Sequence, residues 1–88
     1  MSYTVKFSDA AIKELQKLDK PTSRIIIAWI TKYLQGCDNP REHGHILKGN
    51  KKDYWRYRIG KYRLIAKIND DVIEIIIINI GHRDKVYR

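Results

Sequence analysis

The chain is short of cysteine, proline and acid: one Cys, two Pro, and 10 Asp and Glu against 18 Lys and Arg, for a formal net charge of +8 over 88 residues. Each shortage excludes something. Cys37 alone permits no internal disulfide and has no partner at zinc-ligand spacing, so it reads as an incidental thiol after a helix. Apolar runs such as Ile75–Ile78 fall far short of the roughly 20 residues that cross a bilayer. Lys6 and Asp9 interrupt any signal-peptide pattern at the N-terminus. No membrane partner is expected, and a cytoplasmic location is. Internal repeats and low-complexity tracts are missing too, and 43% hydrophobic with 32% charged residues is the make-up of one globular domain over residues 1–88.

What the chain has instead is basic charge in one place. From Lys48 to Arg63 there are seven basic residues, Lys48, Lys51, Lys52, Arg56, Arg58, Lys61 and Arg63, against the single acid Asp53. The first forty residues carry six bases and four acids. Charge focused in this way is expected where a polyanion is held; the plainer alternative is a surface kept soluble by lysine.

Hydrophobic periodicity predicts an α+β fold. Tyr3 to Phe7 alternates as a short strand, and Ser8 or Asp9 can cap a helix to about Leu18 with Ala11, Ile12, Leu15 and Leu18 on one face. Pro21 suits the first turn of a second helix to about Gln35, with Ile26, Trp29, Ile30 and Tyr33 at core spacing and Gly36 as its stop. The stretch from Gly36 to about Lys52 holds Gly44, Gly49 and Pro40 and reads as a long connection. Strands are predicted at Tyr54–Ile59, Tyr62–Asn69 and Val72–Ile80, joined by two-residue turns at Gly60-Lys61 and Asp70-Asp71. The result is a helical hairpin on a twisted sheet made of the N-terminal strand and a three-stranded antiparallel meander, with Val72–Ile80, apolar on both faces, inside the sheet.

Period two places Arg56 and Arg58 on one face of their strand and Trp55, Tyr57 and Ile59 on the other. The core therefore takes the aromatics and leaves a cationic face suited to a phosphate backbone. Arg63 and Arg83, with Tyr87 behind, lie close enough in sequence to join it. Trp29 and Trp55 are assigned to the core rather than to base stacking. His43 and His45, two residues apart without a third ligand at a recognised spacing, read as a solvated loop rather than a metal site.

The ordered set Asn39-Pro40-Arg41, Leu47-Lys48-Gly49, Trp55-Arg56-Tyr57-Arg58-Ile59-Gly60, Tyr62-Arg63-Leu64 and Gly81-His82-Arg83 leading to Tyr87 resembles the RelE/ParE toxin superfamily, nearest its RelE branch, over essentially the whole chain. The resemblance implies the toxin of a toxin–antitoxin pair, a ribosome-dependent mRNA endoribonuclease that cuts A-site codons without metal or cofactor. It matches Arg56 and Arg58 to the two basic positions of the family's second strand, where the founding RelE type has lysines. It matches Arg63 to the tyrosine-arginine-leucine motif, and Arg83 and Tyr87 to the C-terminal arginine and tyrosine. It also implies a cognate RelB-like antitoxin, acidic and partly disordered, that folds over the toxin, with operator DNA bound through the antitoxin complex. With Arg88 last in this sequence, inhibition by displacing a further C-terminal helix is not expected.

Metal-free RNA cleavage proceeds by attack of the 2'-hydroxyl on the adjacent phosphorus, giving a cyclic phosphate and a free 5'-hydroxyl. Arg63 and Arg83 are expected to hold the scissile phosphate, and Arg56 and Arg58 to stabilise the charge that builds on it or to contact rRNA. Tyr87 would orient or deprotonate the 2'-hydroxyl, and His82 would act as general acid. Arginine itself is a poor proton acceptor, so the base stays open. Lys48, Lys51, Lys52 and Lys61 are candidates for RNA or ribosome backbone contacts. No carboxylate cluster lies near the arginines, which argues against a two-metal nuclease. Two other classes stay open: a ParE-like inhibitor of DNA gyrase, and a non-catalytic nucleic-acid or partner-binding module, the latter favoured if carboxylates such as Glu74 or Asp84 pair with Arg63 and Arg83.

Overall fold

The computed structural model describes residues 2–47 and 54–82. Strand β1, Thr4–Phe7, turns Val5 and Phe7 toward the core and leaves Thr4 and Lys6 outward. Helix α1, Asp9–Lys17, follows at once because Ser8 caps it, its Oγ accepting from the Ala11 N–H at 3.0 Å. Asp19 caps α2, Lys20–Tyr33, by accepting from the Thr22 N–H at 3.2 Å and the Thr22 hydroxyl at 2.8 Å. These bonds, the hydroxyl's first, hold the Asp19 carboxyl below its ordinary pKa. Pro21 sits in the first turn of α2, where its missing N–H costs nothing.

After α2 the chain turns at Gly36, whose φ of +77° favours glycine, and closes back onto β1. The Gly36 N–H donates to the Tyr3 carbonyl at 2.8 Å, the Tyr3 N–H to the Cys37 carbonyl at 2.9 Å, and the Val5 N–H to Gln35 Oε1 at 2.9 Å. The free edge of β1 is thus covered by the segment leaving the helix. Burial pushes the nearby Cys37 thiol up, keeping it protonated.

Four more strands follow: β2, His45–Ile46; β3, Tyr54–Ile59; β4, Tyr62–Asn69; and β5, Glu74–His82. They form one sheet in the order β1-β5-β4-β3-β2, antiparallel except that β1 runs parallel to β5. The apolar β5 lies inside the sheet, as its composition predicts. The core is the layer between the helices and one sheet face: Ala11, Ile26, Ile30 and Leu34 pack on Tyr57, Ile59, Leu64, Ala66, Ile75, Ile77 and Ile80. Trp29 and Trp55 are half-buried against this cluster, in keeping with a core role.

The structure corrects four details. The connection after Gly36 contains the two-residue strand β2, so the sheet has five strands among the described residues rather than four. The β4–β5 turn spans four residues, Asp70 to Ile73, because Ile73 takes a left-handed conformation with φ 48°, and β5 begins at Glu74 rather than Val72. That strand also runs on past Ile80 to His82. Finally, Ile12 is 42% exposed, since α1 turns Ala11 and not Ile12 into the sheet.

One irregularity decides what faces where. The register slips between Ile65 and Ala66, whose partners on β5 are Asn79 and Ile77, so that Ile78 is an extra residue. A bulge reverses side-chain phase beyond it. Ile80 therefore enters the core, Gly81 falls beside Arg63, and His82 turns to the helix side. Because β1 stops at Phe7, this length of β5 has no strand on its outer side among the described residues; Ser8 Oγ donates to the Ile78 carbonyl at 2.7 Å, and Glu14 Oε1 accepts from the Ile80 N–H at 2.7 Å.

Candidate functional site

Strand β3 does what its alternation predicts. Tyr57 is fully buried and Ile59 nearly so, while Arg58 is exposed and Arg56 half-buried on the opposite face. Tyr57 fixes the strand to the preceding loop by donating its hydroxyl to the Pro40 carbonyl at 2.6 Å. Burial pushes that hydroxyl well above the usual tyrosine range, so it remains a donor.

The Gly60-Lys61 turn, with φ +56° at Gly60, sets β4 against β3 so that Arg58 faces Arg63 directly. Like charges directly opposite on a sheet face destabilise it, by a fraction of a kcal/mol to about 1 kcal/mol. A sequence that needed only stability would avoid this pair. On the other side of Arg63 the bulge brings Gly81, so β5 places no side chain over this end of the row. Arg63 is half-buried, and its Nε is buried with no hydrogen-bond partner among the described residues. A buried donor left open in this way costs free energy until an acceptor arrives.

The neighbouring row on the same face runs His45, Arg56, Ile65, Asn79. Ile65 is only 4% exposed, so the arginines stand beside an apolar floor, which strengthens their field. Arg41, Gly44, His45, Ile46, Trp55, Arg56 and Arg58 line an open groove of about 600 Å³ at this end of the sheet. Gly44 lets β2 close on β3: a Cβ there would lie 2.3 Å from the Arg56 carbonyl oxygen, and its φ is +80°.

Two described carboxylates, Glu74 and Asp70, are engaged elsewhere. Glu74 pairs with Lys6 at 2.6 Å, and Asp70 takes both guanidinium nitrogens of Arg41 at 3.1 Å each, plus the Tyr3 hydroxyl at 2.7 Å. The Arg41 bonds, ahead of that of Tyr3, hold the Asp70 carboxyl below its ordinary value. Among the described residues no carboxylate pairs with Arg56, Arg58 or Arg63. Nor does any group of three or more His, Cys, Asp and Glu among them have the arrangement of a metal site.

The structure therefore brings Arg56, Arg58 and Arg63 together. It does not bring His82 to them: His82 pairs with Tyr62 on the helix-side face, ring centroids 5.3 Å apart. The geometry thus gives no support to the general-acid role expected of His82, and the bulge is the reason. Lys61 is exposed in the β3–β4 turn, beyond the arginine rows. Lys48, Lys51, Lys52, Arg83 and Tyr87 lie outside the described residues. The solvated-loop reading is corrected for His43, while His45 is solvent-exposed as expected but stands in a strand rather than a loop. His43 packs edge-on to Tyr33 and Trp29, with centroids 5.0 and 6.0 Å away, and its carbonyl accepts from Trp55 Nε1 at 2.5 Å. His45 stands on β2 opposite Arg56. Sequence reasoning missed it because a two-residue strand is too short to show a period; the only trace was Gly44 followed by His45-Ile46-Leu47.

Fold and site together define a small α+β protein with one sheet face under two helices and the other carrying arginine that no carboxylate among the described residues pairs. The family model for the ParE toxin of type II toxin–antitoxin systems (parDE) matches residues 5–87. The chain is 34% identical over 86 residues, 97% of its length and 87% of the relative's, to a putative RelE-like toxin protein of Escherichia coli. It is 30% identical over 90 residues, 100% of its own length and 99% of the relative's, to toxin RelG of Mycobacterium tuberculosis. The chain belongs to the RelE/ParE superfamily of type II toxin–antitoxin toxins. Solved structures carry the same fold. The toxin–antitoxin complex RelBE2 from M. tuberculosis superposes with a TM-score of 0.81 at 25% identity, over 94% of this chain and 93% of that one. The archaeal RelE–RelB complex from Pyrococcus horikoshii gives 0.72 at 31%, over 98% and 100%. The isolated E. coli RelE toxin gives 0.77 at 22% identity, over 97% and 88%.

Proposed function

We propose that this toxin is a metal-independent endoribonuclease that cuts mRNA in the ribosomal A site, with Arg56, Arg58 and Arg63 as its phosphate site. The observation that carries the reading is the in-register pair Arg58–Arg63, two arginines directly opposite each other on adjacent strands with no carboxylate partner among the described residues, and the buried Nε of Arg63 left open. Such a pair is stabilised by an anion. The pentavalent phosphorus formed when a 2'-hydroxyl attacks carries more charge on its equatorial oxygens than the ground state does, so fixed guanidiniums favour the transition state over the substrate. Arg83 and Tyr87 are proposed to complete the site from the C-terminal segment, and Lys48, Lys51, Lys52 and Lys61 to hold the ribosomal or mRNA backbone. The cleavage leaves a 2',3'-cyclic phosphate and a 5'-hydroxyl.

The partner in this reading is a cognate antitoxin of RelB type, as in the RelE–RelB complex of P. horikoshii and the RelBE complex of E. coli. Net charge +8 favours an acidic, partly disordered chain that folds on contact. Operator DNA would be bound through that complex, and the toxin would act in the cytoplasm.

The family match is described for ParE, which keeps gyrase as the second target class. Programmed ribosomes carrying a defined mRNA separate the two. Cuts within the A-site codon that require the ribosome and disappear in Arg63→Ala support the endoribonuclease. No RNA cleavage together with gyrase-dependent DNA breaks selects the ParE-like activity, and neither activity leaves a binding module.

A further inference from the structure

The arginine rows hold charge but do not supply a proton acceptor, because a guanidinium stays protonated at every working pH. His82 is turned to the other face of the sheet. His45 is not. It stands on the edge strand β2 directly opposite Arg56, which puts their Cβ atoms roughly 4.5–5.5 Å apart, with Arg58 at the diagonal distance of roughly 7–8 Å. It lines the same open groove as Arg56 and Arg58, and the groove's volume of about 600 Å³ falls in the range that accepts a small ligand such as one nucleotide. The imidazole is exposed, and among the described residues no hydrogen bond or ion pair engages it. Its neighbour His43, by contrast, is fixed against Tyr33 and Trp29.

We propose that His45 is the general base of the cleavage reaction, a role that rests on the endoribonuclease reading above. With a phosphodiester seated on Arg58 and Arg63, the neutral imidazole takes the proton of the 2'-hydroxyl while O2' forms a bond to phosphorus. The P–O5' bond breaks, its electron pair leaves on O5', and O5' takes a proton from water. The imidazolium returns its proton to solvent, so no oxidant, metal or second substrate is consumed. The charged and titratable groups facing His45 are Arg56, Arg58 and Tyr54 on β3, Arg63 on β4 beyond them, and Arg41 on the preceding loop, whose guanidinium is held by Asp70. No carboxylate lines the groove among the described residues. Gly44 is the positioning residue, since only a residue without Cβ lets β2 lie this close to β3.

The test is single-turnover cleavage on programmed ribosomes between pH 5 and 9, comparing wild type with His45→Gln and His45→Ala, each checked for folding by circular dichroism and for antitoxin binding. The expected result is a loss of about 100-fold or more in cleavage rate for both variants at unchanged cut position. The rise of rate with pH that marks a base should flatten in His45→Gln, and free imidazole should restore part of the rate to His45→Ala. Folded variants that cut within about threefold of wild type, with the same pH profile and no response to imidazole, overturn the proposal while leaving the endoribonuclease intact. A wild-type protein that cuts nothing overturns both. If His45→Gln does not fold, imidazole rescue of His45→Ala decides alone.

Discussion

Arg41 and Arg63 are the same residue type in the same small sheet protein, and their surroundings are opposite. Arg41 spends both terminal nitrogens on Asp70, which also receives the Tyr3 hydroxyl, so one carboxylate ties the loop after α2, the β4–β5 turn and the start of β1 together. Arg63 faces another arginine, has glycine on its other side, and keeps a buried Nε without a partner among the described residues. A paired arginine marks a joint in the fold. An arginine set opposite another bears an electrostatic cost that an isolated chain has no reason to carry, and this supports the proposed anion site.

The contrast can be broken at several points, beginning with the largest effect. Arg63→Ala should lower cleavage by about 100- to 1,000-fold while leaving the urea midpoint equal or higher, since it removes repulsion along with catalysis. A large fall in stability with little change in rate would assign Arg63 to the fold instead. Gly44→Ala comes next: its Cβ would meet the Arg56 carbonyl at 2.3 Å, so β2 must move off β3. We expect about 1–3 kcal/mol of destabilisation by urea titration, and slower cleavage as His45 leaves the groove. Tyr57→Phe leaves the buried Pro40 carbonyl without its donor and should cost about 1–2 kcal/mol, read in the same titration, with the cleavage site unchanged.

The smallest effect belongs to the Arg41 side of the contrast. Asp70 has a lowered folded-state pKa, so its contribution is complete above the ordinary carboxylate value of 3.8 and is lost as pH falls through the lowered folded value. Asp70→Asn should therefore shift the thermal midpoint by a degree or two at pH 7 and not at all at pH 2. Both partners are substantially exposed, which keeps the pair's worth below about 1 kcal/mol. A pH-independent shift would mean that the Asn lost packing and not an ion pair.

How much of this could be read from the residues alone follows the range of the interactions. Period two put Arg56 and Arg58 opposite Tyr57 and Ile59, and Ser8, Pro21, Gly36 and Gly60 marked the helix ends and the tight hairpin, because these signals are local. The start of β5 was misplaced because Ile73, a β-branched residue that ordinarily avoids φ near 48°, closes the turn. The general-acid role expected of His82 rests on its closeness in sequence to the arginines, and a bulge leaves no mark in composition; one extra residue, Ile78, reverses everything beyond it, and its cause is the pairing of β5 with β4. His45 was set aside for a related reason, since β2 is a strand only by virtue of its register with β3.

The central claim is that the unpaired arginines act on a phosphodiester and the paired one does not. The direct measurement is a 5'-end map of a defined mRNA on programmed ribosomes, with wild type, Arg63→Ala and Arg41→Ala side by side. The account predicts A-site cuts from wild type and from Arg41→Ala, and none from Arg63→Ala. Cuts that survive in Arg63→Ala and vanish in a folded Arg41→Ala would contradict it.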